Sequence, residues 1–179
     1  MRRVVFPVLL SLLAAGALAQ SAGAPLPRVP LSPRATEVIA VGTGQVQVEY
    51  SRPFAKGRKV FGSLVPWDKV WRTGANAATT LRTNVDLTLG NVVVPKGTYT
   101  LYTLPGEKAW KLIVNRQTGQ WGTEYDPKMD VARIGMKVET RADTLEAFTI
   151  SFLPEDAFRG SLRISWERLT VSVPYAFRQ

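Results

Sequence analysis

Histidine and cysteine are both absent from this 179-residue chain. Their absence excludes a Ser-His-Asp triad, a Cys-His pair, and a zinc or copper site built on imidazole or thiolate within this chain. It also excludes internal disulfides and a lipid anchor attached through cysteine. The catalytic chemistry left open is that of carboxylates, lysine, tyrosine and arginine.

Two further ligand-binding patterns are missing. The glycines stand singly, so no glycine-rich loop is available to cradle a phosphate. Glu124, Asp126 and Asp130 form a local acidic cluster, but "TEYDPKMD" lacks the spacing of a calcium loop, and Asp126-Pro127 is typical of a turn. The sequence therefore predicts no metal site, no cofactor and no assigned catalytic residue.

Carboxylate chemistry stays open as an alternative. Hydrolysis of a glycoside requires only two carboxyl groups, about 5 to 10 Å apart. Five acidic residues could supply such a pair: Glu49, Asp68, Glu124, Asp126 and Asp130.

The N-terminus has the three parts of a secretory signal. A basic start precedes the apolar run Val4 to Leu13, and Ala17-Leu18-Ala19 has the form that signal peptidase cleaves. The rival interpretation, a membrane anchor, needs about 20 apolar residues, which this run does not reach. We therefore expect residues 1–19 to be a signal cleaved after Ala19. A periplasmic or secreted location would follow, with no transmembrane span.

A short tether and one domain are expected after the signal. Residues 20–33 are rich in Ala, Pro and Ser, and residues 34–179 are long enough for a core without disulfides. The formal charge of +9 makes anionic partners plausible, among them polysaccharide, lipid headgroups and nucleic acid. The alternative is that a basic surface only keeps the protein soluble. No specific nucleic-acid partner is predicted, and the oligomeric state is not determined.

Alternation of apolar and polar residues recurs along the chain and predicts strands. Val46, Val48 and Tyr50 give one such strand, and the clearest runs from Leu81 to Leu89. Further strands are expected at 99–104, 110–115, 131–140 and 148–152. Many short strands with tight connections favour an all-β fold, a single antiparallel β-sandwich or jelly roll with little helix.

The final strand should contain an irregularity. Apolar residues occupy even positions from Leu162 to Trp166 and odd positions from Leu169 to Val173. A regular strand cannot bury both sets on one face. The pattern therefore predicts a bulge or turn at Glu167-Arg168.

Four blocks of sequence resemble a known family. They are "RPFAKGRKVFGSLVPWDKVWRTGANAATTL", "VPKGTYTLYTLPG", "NRQTGQWG" with "YDPKMDVARI", and "SWERLTVSVPY", and the most specific pieces are W-R-T-G-A-N-x-A-T-T and Q-W-G. Over roughly residues 33–175 the chain resembles the bacterial exported family called domain of unknown function 2911. The resemblance implies an exported, mostly β domain and brings no established activity, cofactor or catalytic residue.

The segment "WRTGAN" predicts a turn, because Gly74 allows positive φ and Asn76 can bond to neighbouring backbone. In a structural interpretation Arg72 pairs with a carboxylate, Asn76 satisfies buried backbone groups and Trp71 fills the core. In a functional interpretation Arg72, Thr73 and Asn76 line a pocket mouth.

Aromatic and basic residues could complete that pocket. Trp67 or Trp121 could serve as a platform, and the loop containing Lys56 and Arg58 could fold toward the turn to form one electropositive patch. We therefore predict a non-catalytic, ligand-binding β-sandwich with a basic polar pocket for a small polar or anionic ligand or a glycan. The alternatives are a carboxylate-dependent glycan-active enzyme and a charge-driven binder of acidic polymers. The candidate ligand-binding residues are Arg72, Thr73, Asn76, Trp71, Trp67, Trp121, Lys56 and Arg58.

Overall fold

The computed structural model describes residues 31–177. The predicted signal and residues 20–30 of the predicted tether lie outside this part of the chain. Residues 31–177 contain nine strands: β1 Arg34–Val41, β2 Gly44–Ser51, β3 Thr79–Thr83, β4 Leu87–Leu89, β5 Val92–Val94, β6 Gly97–Leu104, β7 Trp110–Asn115, β8 Asp130–Pro154 and β9 Arg159–Phe177. The single helical element in this part of the chain is the 3₁₀ turn Pro127–Met129, and no helix there is long and apolar enough to cross a membrane.

The strands form one sheet in the order β1-β2-β3-β6-β7-β8-β9-β4-β5, and every pairing in it is antiparallel. The predicted all-β, antiparallel class is confirmed. A contact between two strands that are not neighbours shows that the sheet curves back on itself. The Tyr50 hydroxyl on β2 donates to the Ile150 carbonyl on β8 at 3.2 Å. The rings of Tyr50 and Phe148 also meet edge to face at 5.6 Å. Two halves of one continuous sheet thus face each other across the core.

The centre of the core is a group of aromatic residues drawn from strands and from the long loop between β2 and β3. The indoles of Trp71 and Trp166 stack with centroids 6.0 Å apart and an interplanar angle of 19°. Phe148 packs edge-on against both, and Phe61 approaches both as well as Trp110. Large aromatic rings that meet in this way bury much apolar area and fix the loop against the sheet.

The predicted strand from Leu81 to Leu89 is wrong as a single element. β3 ends at Thr83 and pairs with β2 and β6, whereas β4 begins at Leu87 and pairs with β5 and β9. The Thr83 hydroxyl bonds to both the carbonyl and the amide of Val85, and Asn84 accepts from the Gln45 amide at 2.6 Å. These local side-chain bonds replace ladder bonds and start a turn, although the apolar parity continues across it.

The predicted strands 131–140 and 148–152 are parts of one strand, β8. Its N-terminal part pairs with β7, and its remainder pairs with β9 through register shifts between Thr140 and Thr149. Exposed polar residues around Asp143 and Thr144 interrupt the alternation here, so the sequence indicates a break where the backbone stays extended. Sequence reasoning also missed β1 and β5.

The predicted irregularity in the last strand is confirmed. Glu167 has a φ of 50° and lies opposite Leu145, between two stretches of regular pairing. Leu162, Ile164 and Trp166 are buried before it, and Val171 and Val173 are buried after it. The bulge therefore allows β9 to keep apolar residues on the inner face although their parity changes.

Candidate functional site

The WRTGAN segment lies against β6 just before β3 begins. Trp71 and Thr103 exchange backbone hydrogen bonds of 2.8 and 2.9 Å, which anchor the entrance of the segment to β6. Thr73 and Asn76 both have positive φ, at 53° and 60°. Non-glycine residues are uncommon in this left-handed region, so the turn is held by its surroundings.

Two of the predicted pocket residues belong to the framework of this turn. Thr73 is fully buried, and its hydroxyl lies 3.1 Å from the Thr103 hydroxyl while its carbonyl accepts from the Thr79 hydroxyl at 2.8 Å. Asn76 is exposed, and its backbone carbonyl accepts from the Gly122 amide at 3.2 Å. Neither residue lines the cavity that the turn borders.

A cavity of about 450 Å³ opens beside the turn, and we call it the Arg72 cavity. Its walls come from the turn, from the loop between β2 and β3, from β9 and from the residues just before β1. The structure brings four predicted residues to it: Lys56, Arg58, Trp71 and Arg72. The apolar side chains that complete it are Leu31, Pro53, Phe54, Leu64, Val65, Pro66, Ala75 and Trp166.

Arg72 has no acidic partner in residues 31–177. The five ion pairs found there involve other residues, and the Arg72 Nε is buried without a hydrogen-bond acceptor. The structural hypothesis that Arg72 pairs with a carboxylate is therefore wrong for this part of the chain. A buried donor without an acceptor is uncommon in native proteins, since such a group loses its water without compensation.

Gly122 provides the space in which the Arg72 side chain lies. A Cβ atom at position 122 would stand 2.2 Å from the Arg72 Cδ and 2.7 Å from the Asn76 carbonyl oxygen. Because real side chains never approach so closely, only glycine fits here. The W-R-T-G-A-N and Q-W-G motifs are thus one packed unit, and Gly122 is a residue of the site that sequence reasoning did not assign.

The other two cations of the cavity differ in how far they are already engaged. Arg58 donates its Nε to the Ala55 carbonyl at 2.9 Å and an Nη to the Phe54 carbonyl at 2.7 Å. The backbone amide of Lys56 donates to the Glu146 carboxylate at 2.7 Å. The Lys56 side chain forms none of the ion pairs in the described residues. Arg58 therefore holds the loop closed, while the ammonium group of Lys56 has no ion-pair partner in the described residues.

The two tryptophans predicted as platforms, Trp67 and Trp121, do not line this cavity. Trp67 stacks on Phe61 with centroids 6.0 Å apart and packs against the core. Trp121 is 53% exposed, pairs through its backbone with Ala77 and does not line the cavity. Trp166 contributes the second indole of the cavity instead, although its even parity in β9 marked it only as a core residue.

Gln120 of the Q-W-G motif also has a structural role. Its amide donates to the hydroxyls of Thr100 and Tyr102, at 3.1 and 3.0 Å. Both hydroxyls give their own hydrogens to backbone carbonyls, so they can only accept from Gln120. Gln120 therefore ties the loop to β6.

The acidic cluster is also part of the scaffold. Asp126 caps the 3₁₀ turn by accepting from the Lys128 amide at 2.9 Å. Asp130 accepts from Asn115, Tyr125 and Arg133 at 2.6 to 2.8 Å. Burial and the Asp130 hydrogen bond raise the pKa of Tyr125 to about 12. These carboxylates are engaged in internal hydrogen bonds, as expected for a loop that is folded by its polar groups.

A second, smaller cavity of about 230 Å³ is lined in part by Ala77 and Ala78, which follow the turn. Its only acidic residue is Glu49, which pairs with Arg82 at 2.8 Å. No acidic residue lines the Arg72 cavity. Neither of these two cavities thus presents the two facing carboxylates that glycoside hydrolysis requires.

Comparison with known proteins gives a family and no activity. No curated protein and no solved structure matches the chain significantly. The family model described as "Protein of unknown function (DUF2911)" matches residues 32–175, a span that includes all nine strands except the last two residues of β9. Since this match covers most of the chain, the protein belongs to the DUF2911 family.

Proposed function

We propose that this chain is an exported, non-catalytic binding domain that holds a small anionic ligand in the Arg72 cavity. The observation that carries the proposal is that Arg72 lines the cavity and has no acidic partner in residues 31–177. The cavity volume of about 450 Å³ falls within the range usual for small-molecule sites.

An anion in the cavity would give Arg72 the acidic partner that it lacks in the described residues. Partly buried cations in proteins are usually paired, because the loss of water around a charge is costly without an acceptor. Guanidinium groups bind carboxylate and phosphate oxygens through charge-assisted hydrogen bonds, which are stronger than neutral ones. A ligand oxygen is thus the natural partner for this side chain.

The surroundings favour the same sign of ligand charge. Lys56 and Arg58 line the cavity beside Arg72, and no acidic side chain lines it. Clefts with one sign of charge and low-dielectric walls concentrate counter-ions. The excess of basic residues acts in the same direction, since the formal charge of +9 falls only to +7 when Arg2 and Arg3 leave with the signal.

Export is the second part of the proposal and rests on residues 1–19. Ala17-Leu18-Ala19 behind an apolar run supports cleavage before Gln20 and release into the periplasm or the medium. N-terminal sequencing of the protein from cell fractions tests this. A chain that keeps Met1 in the membrane pellet would contradict it.

The binding proposal is tested by calorimetric titration of the protein with acetate, phosphate and phenylacetate. At least one of these anions should bind, and Arg72→Met should weaken that binding at least tenfold while keeping the aliphatic stem. Arg116→Met removes the same charge from an exposed position away from the cavity and should leave binding unchanged. If none of the anions binds, or if both variants bind like the wild type, the proposal is wrong.

A further inference from the structure

We infer that the ligand of the Arg72 cavity is an organic carboxylate with a flat apolar body, rather than inorganic phosphate or an acidic sugar. This inference rests on the proposed function and specifies the chemical class of its ligand. Two independent features of the cavity lead to it: the number of donors that are free, and the nature of the remaining walls.

The free donors suit a small planar anion. Arg58 has already given two donor groups to the carbonyls of Phe54 and Ala55. Arg72 is the one guanidinium on the cavity with no partner in the described residues, and Lys56 adds a single ammonium group. One guanidinium fork matches the two oxygens of a carboxylate. Inorganic phosphate can engage the same fork, so the remaining walls of the cavity decide between the two anions.

Apart from Ser32 and the three cations, the residues that line the cavity are apolar or glycine, and three of them are aromatic. Trp71 and Trp166 stack together and both line the cavity, and Phe54 lines it too. Leu64 also lines it and is 43% exposed, although a large apolar side chain gains free energy by being covered. Trp166 is only 1% exposed, so the apolar surface that a ligand can cover is that of Leu64 and of the half-buried Phe54 and Trp71. An acetate-sized ligand would leave this surface in contact with water, whereas an aromatic or branched body would cover it.

A sugar acid fits this wall less well. The many hydroxyls of a sugar need hydrogen-bond partners on most sides, and buried polar groups without partners are costly. Apart from its backbone and Trp71, the cavity offers the Ser32 hydroxyl and the three cations as polar groups. A body without hydroxyls is therefore favoured.

The test compares four probes that separate charge from apolar surface: acetate, inorganic phosphate, phenylacetate and the neutral phenylacetamide. An aromatic ring that buries roughly 100 Å² of apolar surface should tighten binding about 50-fold relative to acetate. Dissociation constants are measured by calorimetry. Quenching of tryptophan fluorescence serves as a second readout, because Trp71 and Trp166 line the cavity.

The outcomes distinguish failure of the anion site from failure of the ligand class inferred for it. Tight binding of phenylacetate, with weak binding of both acetate and phenylacetamide and loss of affinity in Arg72→Met, supports both. If acetate or phosphate binds as tightly as phenylacetate, the anion site stands and the carboxylate-with-apolar-body inference is overturned. If phenylacetamide binds as tightly as phenylacetate, or if no probe binds, the anion site itself is overturned.

A matched pair of variants localises the apolar contribution. Leu64→Ser removes apolar surface at the cavity and should weaken phenylacetate several-fold while leaving the weak acetate binding unchanged. Leu153→Ser makes the same change at a residue of similar exposure, 44%, that does not line the cavity, and should change neither. Equal effects of the two variants would show that the ring does not bind against this wall.

Discussion

Two arginines in this fold lie in opposite situations. Arg133 donates to Asp130 at 2.8 Å and to the Tyr125 hydroxyl at 2.7 Å, within a network that also includes Asn115. Arg72 lies beside an open cavity with a buried Nε that has no acceptor in the described residues. The first guanidinium completes a network that folds a loop, and the second has donors left over.

The contrast shows how a basic residue can be assigned to scaffold or to site. Both arginines belong to sequence blocks that resemble the family, so the motifs alone do not distinguish them. The distinction depends on whether the folded chain supplies acceptors. Four variants examine this comparison, from the largest expected change in stability to the smallest.

Asp130→Ala should cause the largest loss. The change removes the acceptor for Asn115, Tyr125 and Arg133 and leaves the fully buried Asn115 amide with one partner fewer. Lost hydrogen bonds and stranded donors together should lower the free energy of unfolding by about 3 kcal/mol. Denaturant melts measure it. Asp143→Ala breaks an exposed pair of equal length, 2.8 Å, and should have little effect. Similar losses in both variants would show that the Asp130 network stabilises the fold no more than an exposed ion pair does.

Gly122→Ala should follow. The added Cβ would collide with the Arg72 Cδ and the Asn76 carbonyl oxygen, and such overpacking typically costs about 1 to 3 kcal/mol. Gly135→Ala is the matched control, because nothing lies within 4 Å of a Cβ there and its φ is not positive. If the double variant with Arg72→Ala recovers part of the loss, the collision with Arg72 is a measured part of the effect. An unchanged free energy of unfolding in Gly122→Ala would mean that the Arg72 side chain does not pack against Gly122.

Alkaline pH should weaken the Arg133 network in a defined window. Burial and the hydrogen bond to Asp130 raise the pKa of Tyr125 from 10.0 to about 12. The folded state therefore holds the Tyr125 proton more tightly than the unfolded state does. The protonated hydroxyl stabilises the fold fully below pH 10, and this stabilisation is lost as the pH rises toward 12. Burial also raises the pKa values of Tyr50, Tyr102 and Tyr175, so part of the fall will come from them.

Tyr125→Phe isolates the contribution of Tyr125 to this fall. The variant should be about 1 kcal/mol less stable at neutral pH, because its ring keeps the packing but no longer donates to Asp130. Its free energy of unfolding should then decline less steeply than that of the wild type between pH 10 and 12. Parallel pH profiles of the two proteins would show that Tyr125 ionises alike in the folded and unfolded chains.

Arg72→Met should have the smallest effect on stability. No ion pair in the described residues is lost, and methionine keeps a stem over Gly122, so the free energy of unfolding should change by less than about 1 kcal/mol. A loss of about 3 to 5 kcal/mol would instead indicate a buried ion pair, because breaking such a pair strands its partner. The same melt thus checks whether Arg72 is a scaffold residue.

How far the sequence could predict the site can be judged from particular residues. Lys56, Arg58, Trp71 and Arg72 were expected together and do line one cavity. The other four expected residues do not line it: Thr73 and Asn76 belong to the turn, Trp67 packs against the core and Trp121 is exposed beside Ala77. A turn motif shows that side chains diverge, but the direction of each depends on strands far away in the chain.

The sequence by itself determined the all-β class and the bulge at Glu167, because alternation and its parity are local properties of the chain. It also indicated that a turn interrupts the strands at W-R-T-G-A-N. Only the tertiary structure decided that the run from 81 to 89 divides between distant parts of the sheet and that β8 is one strand. It likewise decided that Gly122 makes room for Arg72 and that no carboxylate in the described residues reaches this guanidinium. The physical reason is that the surroundings of Arg72 come from residues far apart in sequence, and their positions depend on how the whole sheet curves around its core.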